Sequence, residues 1–375
     1  MAARETDNNP WATWQGRINA SKYRRDQRIA SWQENVTARK GAYGKATDSP
    51  DRLQAKSGRI TVNPDWALTK AKIAQLYSQT PEVRLTPRYP ELQAAVPAFS
   101  RELNDTITDA SVGTTIEEVL ADVVNASGIG GVLVSCDVRT EPRDVPTVDP
   151  AMLPPDQQAQ VLSGQIQLPT ATVDHPVDRQ YLAERISPAD LLIPADFTGS
   201  NYDAARWLGH EGRMTWTQAQ VALGLTDEQK EKVLGRDTRT AGSTSTLNTD
   251  ATTFSDTDVV TYTQIFYWRH FYHAEETNFR ALQRLVFVEG LEEPPINEPY
   301  QAQQRNEQDG LMLGVTRNPI RVLTLTYISD ESLPPSDSTI GRSQVHELGA
   351  SRDAMVQQRK HSIPIRWYDS NRVSA

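Results

Sequence analysis

Two successive prolines, Pro334 and Pro335, followed by Ser336 and Asp337, constrain this chain more than any other stretch. Proline has no N–H to donate and its ring collides with the preceding helical turn, so no helix runs through this point. A serine or aspartate placed just afterwards can accept an orphaned first-turn N–H and start a new helix. From Ser338 to Lys360 only Gly341 and Gly349 weaken the pattern, and the segment predicts one long helix. Ile340, Val345, Leu348, Met355 and Val356 form a thin apolar stripe, with Arg342, Arg352, Arg359 and Lys360 set between them. So thin a stripe suits a helix packed against copies of itself better than one sunk in a core.

At 375 residues the chain has room for two or three packed units. Cys136 is its one cysteine, so no intrachain disulfide forms and a reducing assembly compartment is expected. That thiol reads as a small buried group at the end of a strand. No run approaches the ~20 apolar residues that span a bilayer, and MAARETDNNP has neither a signal pattern nor a cleavage site; the expectation is a chain neither exported nor membrane-embedded. The 39 basic and 48 acidic residues leave a net charge of −9, which argues against tight nucleic-acid binding through phosphate neutralisation. It does not argue against a wall along which DNA slides.

Residues 11–45 interleave Trp11, Trp14, Ile18, Tyr23, Ile29, Trp32 and Val36 at helical spacing with a run of arginines and lysines. This predicts an amphipathic helix docked on its neighbour, with a phosphate- or partner-binding arm as the alternative. A second helix carrying Trp66, Ile73, Leu76 and Tyr77 stops at Pro81, and Pro81–Pro87 reads as an extended strand. Thr114 and Thr115, each three residues before Glu117 or Glu118, predict a capping box. Ile116, Val119, Leu120, Val123 and Val124 then give a core-facing stripe, closed by Gly128, with 130–136 as a buried strand. The order helix, glycines, strand is the reverse of a dinucleotide-binding turn, so these glycines make a tight turn and no phosphate cradle.

Seven prolines between Glu141 and Arg179, with a Gln-rich piece at 156–167, read as a surface excursion. Ser187 and Asp190 have turn spacing, and Asp190 with Asp196 makes no catalytic pair because no nucleophile or metal ligand stands nearby. Thr215 and Gln218 start another capped helix, backed by Val221, Leu223 and Leu225. Residues 235–258, rich in Ser and Thr, predict a mobile loop. From Val259 period-two alternation predicts two strands joined by AEETNF and a third in RNPIRVLTLTYIS, with Tyr262, Phe266, Tyr267, Trp268, Phe271 and Tyr272 as sheet core. His270 and His273 fall on opposite faces of a strand, which argues against a shared metal with Glu275.

Several of these stretches resemble the portal proteins of tailed bacteriophages: the helix ending in Gln75-Leu76-Tyr77 before Pro81-Glu82-Val83, the helix–glycine–strand at 110–138, Ser187-Pro188 with Asp190-Leu191-Leu192, a strand carrying Trp268, and Pro334-Pro335-Ser336-Asp337 before a polar helix. They occur in family order over roughly residues 60–90, 110–138, 184–235 and 259–361. The resemblance implies an α+β, portal-like protomer with a helical wing, stem helices and a small β-rich clip or wing sheet, assembled as a ring, generally a dodecamer. It divides the chain into an N-terminal wing (1–138), the Pro/Gln-rich excursion (139–183), a further wing segment (184–258), a β-rich wing or clip region (259–335) and a stem helix with a following strand (336–375).

The implied role is structural, at one vertex of a phage head. Double-stranded DNA passes through the ring, the terminase large subunit docks during packaging, the major capsid protein surrounds it, and a head-completion or tail adaptor follows. Neither catalysis, cofactor, metal nor membrane is implied. Arg342, Arg352, Arg359 and Lys360 become candidates for DNA-tunnel or subunit-interface contacts. Portal chains usually continue beyond the stem into a second wing portion and a crown; this sequence stops at Ala375 soon after the stem, as a truncated polypeptide or a shortened family member would. Two readings of other classes fit the same composition. One is a neck or head-completion adaptor, and the other a soluble enzyme using carboxylate acid–base chemistry, which would show a deep pocket with a perturbed carboxylate.

Overall fold

The computed structural model describes residues 10–40, 64–78, 82–87, 89–146, 170–234, 259–271, 279–300, 304–305, 312–313 and 317–361. The chain is α+β and divides into two compact units that cut across the linear order: Met1–Gln79 with Glu117–Gly131 and Arg185–Ala375, and Thr80–Ile116 with Val132–Glu184.

The first unit is built on an antiparallel five-stranded sheet, β3 (Leu191–Leu192), β4 (Trp207–Thr215), β5 (Val259–Phe271), β6 (Phe279–Val288) and β7 (Ile296–Pro299), adjacent in that order. Side chains alternate between its faces. On one face Leu192, Trp207, Ile265, Leu285 and Phe287 pack against Ile18 of α1 (Pro10–Arg39), flanked by Trp11, Trp14 and Tyr267. On the other, Val260, Val286 and Val288 pack under α5 (Trp216–Leu223) and α6 (Asp227–Leu234) through Trp216, Ala219, Leu223, Leu225 and Val233. The expected docked amphipathic helix is therefore α1. Its second half buries Ile29 and Trp32 against Ala126 and Ala189.

The first unit also holds α2 (Pro64–Leu76) and the C-terminal part of α4 (Val112–Ala121), which passes into a π turn at Asp122–Ala126. The expected stripe is real: Val119, Leu120, Val123 and Val124 are buried, with Ile116 half-buried. Gly128 ends it at φ +85°, where a Cβ would stand 2.1 Å from the Pro334 carbonyl oxygen. The turn thus needs glycine twice over, for its left-handed backbone and for the close approach of the Pro-Pro segment. The chain continues as β1 (Ile129–Pro146), in a second sheet of order β10-β1-β2 with β2 (Thr170–Ile186) and β10 (Ile320–Thr324). A further pair, β8 (Gln304–Arg305) and β9 (Met312–Leu313), is antiparallel.

In the second unit, α3 (Val96–Asp109) carries the extended residues 82–87 along one flank. The Asn104 amide brackets Val83, donating to its carbonyl at 3.1 Å and accepting from its N–H at 2.8 Å, while the Leu85 N–H donates to the Ser100 hydroxyl. The strand expected at 81–87 therefore joins no sheet among the described residues, because helix side chains supply the donors and acceptors of a ladder.

Other expectations shift. The capping box at Thr114/Thr115 does not form. The helix has already begun at Val112, the Thr115 N–H donates to the Ser111 carbonyl, and the Thr115 hydroxyl donates to the Ala183 carbonyl at 2.9 Å. Val221 is 85% exposed, because the buried face of the short α5 is Trp216, Ala219 and Leu223, at spacings of three and four. The third strand expected in RNPIRVLTLTYIS, β10, belongs to the β10-β1-β2 sheet, and β4 takes the place beside β5. The proline-rich excursion is flanked by long strands, and residues 147–169, the Ser/Thr-rich 235–258 and the 272–278 connection lie outside the described residues. So do His273, Glu275 and the strand expected after the C-terminal helix.

Candidate functional site at the root of the C-terminal helix

The Pro-Pro-Ser-Asp start behaves as its chemistry dictates. The helix α7 runs from Asp337 to His361, and Ser336 caps it, its hydroxyl accepting from the Thr339 N–H at 3.2 Å and its carbonyl from the Ile340 N–H at 3.1 Å. The segment leading in is held down: Ser332, Leu333 and Ser336 are buried, and the Tyr202 hydroxyl donates to the Ser332 carbonyl at 2.8 Å. Burial and then the Glu331 charge push the Tyr202 phenol up, so it stays a donor.

Four elements of the first unit meet at this root through polar groups. The Asn35 amide of α1 is 1% exposed and donates to the Ala126 carbonyl at 2.8 Å, the Ser336 hydroxyl at 3.1 Å and the Thr339 hydroxyl at 2.7 Å. Asn125 in the π turn donates to the Asp65 carboxylate of α2 and to the Ser338 hydroxyl, both at 2.8 Å, and Ser338 donates back to Asp65 at 2.7 Å. Lys72 of α2 pairs with Asp337. Arg342 closes the cluster, pairing with Glu34 and donating to the Ser31 carbonyl and to the Asn35 side-chain oxygen. Buried polar groups cost stability only when unpaired, and here each named group has a partner, so the cluster fixes the root of α7 in one orientation.

Past Arg342 the helix changes character. Leu348 and Met355 are more than half exposed, as Ile340 already is just before Arg342, and Arg352 and Arg359 are exposed too. Of the four basic residues singled out from the sequence, Arg342 is thus engaged inside the chain, Arg352 and Arg359 lie on the outer length of α7, and Lys360 falls in its last turn. No protein-family model matches the chain, and no curated protein matches it. The geometry of this helix is what bears on function.

The groups that sequence reasoning missed are Asn35, Asn125, Asp65 and Ser338. The signal available was a polar residue inside an apolar stripe, as Asn35 stands between Trp32 and Val36 and Asn125 follows Val123 and Val124. Such a residue faces the interior and requires a partner.

Three carboxyls elsewhere carry displaced titrations, two of them raised. Burial, and then the neighbouring Glu211, raise Asp190 to about 6. Burial raises Asp122 to about 6 against the pull of Arg185, which grips both its oxygens at 2.6 and 2.7 Å. Burial pushes Glu211 up as well, but Lys22 and Arg25 more than offset it and leave it below the ordinary glutamate range. Neither raised carboxyl lines a cleft of about 500 Å³ whose walls include Trp14, Arg17, Arg206, Trp207, Tyr267 and Trp268. Asp190 and Asp196 are not brought together as a pair: Asp196 faces Arg206 at 3.9 Å. Among the described residues no group of His, Cys, Asp and Glu is disposed to hold a metal ion.

Proposed function

We propose that this chain is the protomer of a portal ring at one vertex of a phage capsid, through which the terminase drives double-stranded DNA and to which a neck or tail adaptor attaches. One observation carries the reading: α7 is fixed at its root by Asn35, Arg342 and the Ser336 cap, while its remaining turns leave Leu348, Met355, Arg352 and Arg359 exposed. Twenty-five helical residues span about 37 Å, and an isolated helix holding apolar side chains in water for most of that length gains its burial from other chains. A rigid root also lets identical copies present the helix at one fixed angle, which rotational closure requires. The net charge of −9 per copy favours a passage that does not grip phosphates.

The partners of this role are the terminase large subunit, the major capsid protein and the head-completion or tail adaptor, and the location is the virion after assembly in host cytoplasm. The test is native mass spectrometry of the purified protein with negative-stain imaging. A closed ring of subunits around a central hole is the expected result. A monomer at every concentration, unchanged by added procapsid components, rejects the reading.

A further inference from the structure

We propose that the outer face of α7 docks on the exposed stripe of α3 in a second copy of this chain; the inference rests on the ring reading above and names a contact that would build it. On α3, Val96, Phe99, Leu103 and Ile107 recur three and four residues apart and form one row. This is an amphipathic helix in which no residue is buried, and Phe99 is 62% exposed. Leu85 adds exposed apolar surface close by, on the segment that Ser100 and Asn104 hold against the helix. A contiguous apolar row of this kind on a single chain marks an interaction surface.

The occupant follows from charge and spacing. The exposed acids Glu102 and Asp109 lie on the Phe99 flank of the α3 row, while Asp105 and Arg101, the one basic residue of the helix, lie on its far side. On α7, Val345, Leu348, Arg352, Met355 and Arg359 recur at intervals of three and four, so one face alternates apolar and basic side chains. An apolar row with an acidic border fits an apolar row with basic insertions. Leu348, Met355, Arg352 and Arg359 on α7, and Phe99 and Leu103 on α3, are exposed, and the occupant assigned to the α3 row is α7 of a second copy. Because the two faces differ, the contact is heterologous, the kind that propagates around a ring.

The test uses two full-length proteins in a Cys136→Ser background, one carrying Leu103→Cys and the other Leu348→Cys, mixed and treated with a short bis-maleimide. Packed helices lie ~8–10 Å apart, within reach of such a linker. The expected product is the mixed cross-link, in several-fold excess over either self-linked species. Adding Arg352→Glu to the second protein reduces it several-fold, and Asp109→Arg on the first restores it. Self-linked Leu348→Cys product alone, from a preparation that native mass spectrometry shows to be oligomeric, overturns this contact and leaves the ring reading standing, since copies would then meet α7 to α7. A preparation that stays monomeric overturns both.

Discussion

Arg342 donates to the side-chain oxygen of Asn35, so the first exposed-looking arginine of α7 is anchored to the most enclosed polar residue of α1. Asn35→Ala removes an amide whose two N–H groups serve three acceptors and whose oxygen accepts one bond, at a site 1% exposed. It is expected to cost about 2–4 kcal/mol, read as a lower denaturant midpoint at unchanged slope. Arg342→Ala is expected to cost about 1–3 kcal/mol. The double variant costs less than the sum by at least about 0.5 kcal/mol, because the two residues share one contact.

Three glycines separate space from backbone strain. Gly128→Ala meets both a left-handed φ and the Pro334 carbonyl, and is expected to destabilise by at least about 3 kcal/mol or to leave little soluble protein. Gly224, the C-cap of α5, has φ +65° with open space around it, so Gly224→Ala should cost only about 1 kcal/mol. Gly341 lies in the first turns of α7 with nothing near its Cβ direction, and Gly341→Ala is expected to stabilise by about 0.5–1 kcal/mol. Thermal unfolding of the three variants side by side checks the order.

Asp190 has a folded pKa of about 6 against an ordinary value of 3.8, because it is buried beside Glu211. The folded state therefore holds a proton that the unfolded state has released between those values, and stability falls as pH rises from about 4 to about 6. Asp190→Asn removes that fall. The variant is expected to gain about 1–2 kcal/mol relative to the wild type on going from pH 4 to pH 7, measured as the difference between paired denaturation curves.

Arg25 is buried against Glu211 and Asp26. Arg25→Met leaves Glu211 with Lys22, at 2.6 Å, as its remaining cation, and is expected to cost about 3 kcal/mol. Glu211 titrates below the ordinary range in the folded state, so its contribution is present above its unfolded pKa and lost as pH falls. The loss caused by Arg25→Met should accordingly shrink on acidification below about pH 4, which equilibrium unfolding at pH 3.5 and pH 7 would register.

What the sequence by itself determined is local. The Ser336 cap and α7, the Thr215–Gln218 box, the Val119–Val124 stripe and its Gly128 stop, and the β5–β6 alternation all rest on spacings within a few residues, where backbone geometry leaves little choice. Tertiary structure decided what pairs at distance. The strand β4 has no apolar alternation; it is a strand because β5 pairs along its whole length, and Gly209 and Gly212 sit where a Cβ would strike Gln264 and Tyr262. Residues 82–87 look like a strand and end as cargo of Asn104. At the root of α7, Asn35, Asp65, Asn125 and Ser338 come from three elements far apart in the chain and from the helix itself. A polar residue in an apolar stripe announces that it needs a partner, and only the folded chain decides which one it meets.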